Sequence, residues 1–207
     1  MAKPVLVGRS SSVFTRVARI FAIELEVEHT FRVVPDLLAF EAERYGGNPA
    51  LKLPTLLGPS GAWFGSLTIC RELVRLSRRT LHLVWPEELV EPALANAQEL
   101  TVQAMATEVA LIMAKQEAPD ASSAYQRKLR LSLENSMAWL EEHVAELRSH
   151  LPANRELSYL EVTLFCLVTH LEFREVLPVT GYRRLDEFRR AFSERPSAIA
   201  TAYRYDT

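Results

Sequence analysis

Leu51-Lys52-Leu53-Pro54-Thr55-Leu56-Leu57 anchors the first domain of the chain. It places a proline at the first position of a strand, where the ladder can spare one N–H. Gly58-Pro-Ser-Gly61 follows with turn chemistry. Ala62-Trp-Phe64 then returns as the next strand, so these two strands predict a hairpin.

Upstream, Pro4-Val-Leu-Val7 is a short continuous apolar run, as in a strand buried on both faces. Gly8-Arg-Ser-Ser-Ser12 breaks it, and the period then changes. Phe14, Val17, Ala18, Phe21, Ala22 and Leu25 recur at three and four, which predicts a helix to about Leu25. His29 to Val34 alternates and predicts a second strand. Asp36 through Tyr45 reads as a short helix closed by Gly46-Gly47. Downstream, Ser66 to Leu76 reads as a helix. The order β-α-β-α-β-β-α demands a parallel first pair with a right-handed crossover. The product is a four-stranded mixed sheet within residues 1–79.

Residues 80–90, including Trp85-Pro86, read as a linker into a helical region, and strand signals vanish after it. Residues 87–116 carry helical periodicity, with Met105, Val109, Ile112 and Met113 on one stripe. Ala118-Pro-Asp-Ala-Ser-Ser123 is a break. Leu129, Leu133, Met137, Leu140, Val144 and Leu147 predict one long amphipathic helix to His150, ended by Pro152. Residues 160–171 are apolar nearly all round and predict the buried centre of the helical domain. Tyr182 to Phe192 is a last clear helix, and Arg195-Pro-Ser197 begins a short tail. Residues 91–207 are thus expected to form one all-helical domain.

Composition agrees with an ordinary globular chain. Of 207 residues, 48% are hydrophobic and 24% charged, with a net charge of −2. That balance makes no electrostatic case for nucleic acid. The first 79 residues hold eleven Lys/Arg and seven Asp/Glu, the rest thirteen and nineteen. A basic first half suits a small anionic ligand. No window reaches the roughly 20 apolar residues of a membrane helix. The start at Met1-Ala-Lys-Pro lacks a secretory pattern, which predicts a cytoplasmic protein. Cys70 and Cys166 read as small buried hydrophobes, and no Cys/His spacing suggests a metal.

Three points on the sheet domain favour an anion. Ser10-Ser11-Ser12 joins a buried strand to a helix, where free N–H groups and the positive end of the dipole converge. A thiolate there is stabilised, and a serine hydroxyl can donate to it. The bland alternative is an N-cap. Gly65-Ser66 opens the next helix in the same way. Pro54 lies between them in order.

These residues resemble the cytosolic glutathione S-transferase (GST) family, of a bacterial serine type, over essentially the whole chain. Ser12-Val-Phe-Thr-Arg16 looks like the family's Ser-Pro-Phe-x-Arg. Asn48-Pro-Ala-Leu-Lys-Leu-Pro-Thr-Leu56 is similar to Asn-Pro-x-Gly-Lys-Val-Pro-x-Leu, whose proline is cis. Gly65-Ser-Leu-Thr-Ile-Cys-Arg-Glu-Leu73 resembles Glu-Ser-x-x-Ile-x-x-Tyr-Leu. Ser158-Tyr-Leu-Glu161 resembles the family's capping box, and Arg195-Pro-Ser197 its C-terminal Arg-Pro pattern.

The resemblance implies an α/β thioredoxin-like domain followed by an all-α helical bundle. It implies an enzyme, a transferase that uses glutathione as co-substrate on a small apolar electrophile, working as a homodimer without a metal, nucleic acid or membrane. It places the thiolate-stabilising hydroxyl at Ser12, with Ser11 as the fallback if the register shifts by one. Glutathione would meet the backbone of Leu53 before a cis Pro54, Lys52 near its glycine carboxylate, Ser66 at its γ-glutamyl carboxylate, and Phe14 beside the cleft. Met105, Val109 and Met113 are candidates for the electrophile's side, though Met at helical spacing commonly fills core. Trp63 is a candidate for the dimer interface. Two positions depart from the pattern. Gly65 stands where an acidic or amide side chain is usual, and Val13 replaces a proline. Gly65 favours the alternative reading, a GST-fold binding module without the chemistry.

Overall fold

The computed structural model describes residues 3–118 and 123–206. The predicted break after Ala118 falls largely on residues 119–122, and the Met1-Ala2 start precedes Lys3; both lie outside the described residues. The chain divides into two compact units, Met1–Leu81 with Glu194–Thr207, and His82–Ser193.

The first unit is built on strands β1 (Val5–Gly8), β2 (Thr30–Val33), β3 (Thr55–Gly58) and β4 (Gly61–Phe64), in the order β2-β1-β3-β4. β1 pairs parallel with β2 and antiparallel with β3, and β3–β4 is the hairpin. Leu6, Val7 and Leu56 are buried to within 1%, as continuous apolar central strands require. Helices α1 (Val13–Glu24) and α2 (Ser66–Leu76) pack on each other. Glycine is required at Gly8 by the close approach of α1 to the end of β1, because a Cβ there would sit 2.4 Å from Thr15 Cγ2.

The expected helix over Asp36–Tyr45 shrinks to one 3-10 turn, Ala42–Tyr45, closed by left-handed Gly46 and Gly47. Asp36 Oδ1 accepts the Leu38 N–H at 2.8 Å, and the Tyr45 hydroxyl reaches the carbonyls of Leu37 (2.8 Å) and Ala39 (3.1 Å). Side chains take these backbone groups before a helix can use them.

The second unit contains α3 (Pro92–Glu117), α4 (Ala124–His150), α5 (Tyr159–Phe173) and α6 (Arg183–Ser193). Ser123 and Gln126 form a reciprocal capping box at the start of α4. α5 is buried along almost its whole length and packs on α3 and α6. Two features differ from the expectation. Strands do occur here: β5 (Leu83–Val84) pairs parallel with β6 (Leu157–Ser158), so part of the expected linker is sheet. A two-residue ladder is too short to leave a periodic trace. The Ser158–Glu161 box does not form either. Among the described residues Ser158 Oγ, which is buried, has no partner, while Glu161 is held bidentately by Arg155 at 2.7 and 2.8 Å. A guanidinium outcompetes a backbone N–H for a carboxylate.

The tail does not follow the expected boundary. Residues 194–206, expected within the helical domain, belong to the first unit and include the short helix α7 (Pro196–Ala200). The physical reason is α1. Glu24 accepts from Arg195 Nε (2.9 Å) and Ser197 Oγ (2.5 Å), and Arg16, only 4% exposed, donates to the Ala198 carbonyl (3.1 Å). Cys70 and Cys166 are both buried and are not joined in a disulfide. Trp63, the expected interface candidate, is half-buried; Phe40 and Leu38 are the most exposed of the large apolar side chains described in that unit.

Candidate functional site

Strand register brings the three anion-friendly points to one end of the sheet. Thr55, the first residue of β3, pairs with Val7 on one side and with Phe64 on the other. Pro54, just before it, therefore borders both the exit of β1 toward Ser10–Ser12 and the exit of β4 toward Gly65-Ser66. The Gly65 N–H donates to the Pro54 carbonyl at 3.3 Å and fixes this junction.

The Leu53–Pro54 bond is cis. Leu53 packs its side chain against Val7, Val34, Ala39 and Tyr45. Its own N–H and C=O take no partner among the described residues, so this stretch of backbone is available for strand-like pairing. Asn48 shapes the approach: its amide donates to the Lys52 carbonyl (2.8 Å) and its Oδ1 accepts the Ala50 N–H (3.0 Å). Between them Leu51 adopts a positive φ of 53°, a conformation that costs a non-glycine residue about 1–2 kcal/mol. Lys52 is exposed.

Ser12 is extended (φ −97°, ψ 125°) and caps α1, its Oγ accepting the Thr15 N–H at 3.2 Å. A serine oxygen that accepts in this way keeps its own proton to donate. The cap and the thiolate donor are therefore compatible in one hydroxyl. Ser11 is buried, and Phe14, in the first turn, is half-buried. At α2 the arrangement is different. Gly65 (φ 80°) is the N-cap and brings no side chain to it, and Ser66 is buried as the first helical residue. A helix start without a side-chain cap presents backbone donors and the positive dipole end to a carboxylate.

Two contributors escaped the sequence reading. Asn48 carried a signal, since it belongs to the quoted Asn-Pro stretch. Asp206 carried none: its Oδ2 accepts the N–H of buried Ser10 at 2.8 Å, 196 residues away in sequence. Ser10 Oγ and Arg9 Nε in the same loop are buried and have no hydrogen-bond partner among the described residues. In the helical unit, Met105 is fully buried, while Val109 and Met113 are half-buried. That unit also carries a cleft of about 600 Å³ whose lining includes Lys115, Arg127, Arg130 and Arg174, and none of the sequence-derived site residues. Among the described residues, no three His, Cys, Asp or Glu side chains gather as a metal site, and no helix is long and apolar enough to cross a membrane.

No protein-family model and no curated protein sequence matches the chain. Solved structures do. A glutathione S-transferase from Methylobacillus flagellatus KT with GSH bound superposes with a TM-score of 0.76 at 20% identity, covering 98% of this chain and 100% of that one. A glutathione transferase family member from Pseudomonas fluorescens Pf-5 with bound glutathione gives 0.77 at 19% identity, with 98% and 100% coverage. A glutathione S-transferase from Methylobacterium radiotolerans JCM 2831, in complex with glutathione sulfonate, gives 0.73 at 19%, with 100% and 97% coverage. At these identities the likeness is one of fold: a thioredoxin-like α/β domain with a mainly helical domain, the architecture of the glutathione transferases.

Proposed function

We propose that the protein is a glutathione-dependent transferase in which Ser12 stabilises the glutathione thiolate. The observation that carries this reading is the double use of Ser12: its oxygen caps α1 and its proton remains as a donor at the Pro54 end of the sheet. The backbone of Leu53 pairs with the cysteinyl unit, Lys52 lies toward the glycine carboxylate, and the start of α2 at Gly65-Ser66 takes the γ-glutamyl carboxylate. Phe14 borders the same cleft. A thiol of ordinary pKa near ~8.5 needs about 1.4 kcal/mol for each unit it is lowered. One charge-assisted hydrogen bond supplies that order of energy. The thiolate sulfur then attacks a small apolar electrophile; a C–S bond forms and the leaving group departs with the electron pair. The same reading includes a homodimer, checked by sedimentation at micromolar concentration, and a cytoplasmic location, where glutathione is abundant.

A glutathione titration read by melting temperature tests the proposal in wild type and Ser12→Ala. Saturation at about 100 Kd should stabilise the folded protein by about 2.7 kcal/mol. Ser12→Ala should keep that response relative to its own unliganded state, and should lose most conjugation of an activated aryl halide. No shift in wild type at millimolar glutathione would sink the proposal.

Gly65 favours a second reading, a binding module that keeps the fold without the chemistry. No side chain stands at that point to meet the γ-glutamyl amine. A glutathione shift with no turnover of any generic electrophile, in wild type as in Ser12→Ala, would select it.

A further inference from the structure

We infer that the C-terminal strap is part of the Ser12 site, with Asp206 as the positioning residue that holds the loop carrying Ser12. The inference rests on the Ser12 reading above. The strap runs antiparallel along α1. Arg195 and Ser197 grip Glu24 at the end of that helix. Ala198 and Thr201 accept from Arg16 in the first turns, and the Tyr203 ring lies 4.3 Å from the Arg16 guanidinium. Asp206 then reaches Ser10, ahead of the helix. Successive contacts thus march from the C-terminus of α1 past its N-terminus.

The contacts up to Tyr203 have a structural purpose. A guanidinium 4% exposed is costly unless its donors and its face are satisfied. Nothing in that purpose requires three more residues. Arg204 and Tyr205 are exposed, yet Asp206 is half-buried and accepts from a fully buried residue. The Ser10 N–H would otherwise be a buried donor without a partner, a loss of about 1–3 kcal/mol. At one end of the loop the Gly8 carbonyl accepts the Val34 N–H at 3.0 Å; at the other, Ser12 is tied to Arg9, Thr15 and Arg16, and Ser11 has an interaction of its own. Asp206 supplies a tie from the far end of the chain, two residues before Ser12.

A hydroxyl that must point at a sulfur loses its effect when its loop shifts by about an ångström. The hydrogen bonds described above tie the strap to α1 and to the loop ahead of it, whereas in this reading glutathione is bound by the Leu53 backbone and the start of α2. Losing Asp206 should therefore lower kcat and leave glutathione affinity nearly unchanged.

The test compares Asp206→Ala with Asp206→Asn, which keeps an acceptor oxygen. Asp206→Ala is expected to lower kcat on the order of ten- to a hundredfold, with the glutathione Kd within about twofold. Asp206→Asn should restore kcat to within a few-fold. Amide hydrogen exchange gives a second readout that needs no activity: Ser10 should lose protection in Asp206→Ala while Ile20, in the middle of α1, keeps it. Unchanged Ser10 protection overturns the inference. So do equal losses of rate in the Ala and Asn variants, or a loss carried by Kd. If wild type fails to bind glutathione, the transferase reading fails, and the exchange data still decide whether Asp206 holds the loop.

Discussion

Two carboxylates, one half-buried in the first unit and one fully buried in the second, behave in opposite ways. Glu24 ends α1 and faces Arg195, Ser197 and Arg79. Burial pushes its pKa up, but the hydrogen bonds from Arg195 and Ser197, with the charges of Arg195 and Arg79, outweigh burial and hold it below the usual carboxylate range. Glu108 lies between α3 and α5, fully buried, with Oε1 2.8 Å from Nδ1 of His170. There burial dominates, and His170 with the more distant Arg174 cannot offset it, so its pKa is raised. The same side chain is a clamp at a half-wet edge and a burden inside a helix pair. What differs is the partner set: a guanidinium plus a hydroxyl against one imidazole.

Removing a partner should break the comparison unequally. His170→Leu leaves Glu108 buried with no direct partner and should cost about 3 kcal/mol by denaturant unfolding. Arg195→Ala removes the charged donor on Glu24 and one anchor of the strap, for about 2 kcal/mol. Ser197→Ala deletes one hydrogen bond to the same oxygen, for about 1 kcal/mol. Glu108→Gln goes the other way. It keeps a hydrogen-bonding group against His170 and removes the cost of a buried charge, so melting temperature at pH 7 should rise.

The smallest effect is a difference in slope. Glu24 has a depressed folded pKa, so its contribution is present above its unfolded value, about 4.3, and is lost as pH falls through the folded value. Glu108 has a raised folded pKa, so its contribution is best below about 4.3 and is lost as pH rises through the folded value. Melting curves from pH 3 to 8 should show Glu24→Gln flattening the acid limb and Glu108→Gln flattening the limb above it. Identical curves for the two variants would refute the opposition.

Much of the first unit was legible because local pattern and tertiary demand agree there. The buried run at Val5–Val7, the period change at Val13, the hairpin signals at Gly58–Gly61 and the start of α2 at Ser66 all lie where the residues put them. The helix expected over Asp36–Tyr45 was not legible, because Asp36 and Tyr45 divert its backbone groups by side-chain bonds. Ser158 shows the same lesson in the second unit. The box pattern is present, yet Arg155 folds back onto Glu161, and a local motif yields to a stronger ion.

For the candidate site, sequence alone named Ser12, Pro54 and Ser66 and the order in which they occur. Strand and helix periodicity are properties of neighbours within a few residues, so they survive in the linear chain. The meeting of Ser12, Pro54 and Ser66 at one end of the sheet is a product of the fold, through the pairing of Thr55 with both Val7 and Phe64. The tertiary structure also decided that the tail belongs to the first unit and that Asp206 reaches Ser10. Such a contact spans nearly the full chain and is selected by whichever buried N–H and buried cation need satisfying. That need comes into being only when folding removes the water that met it in the unfolded chain.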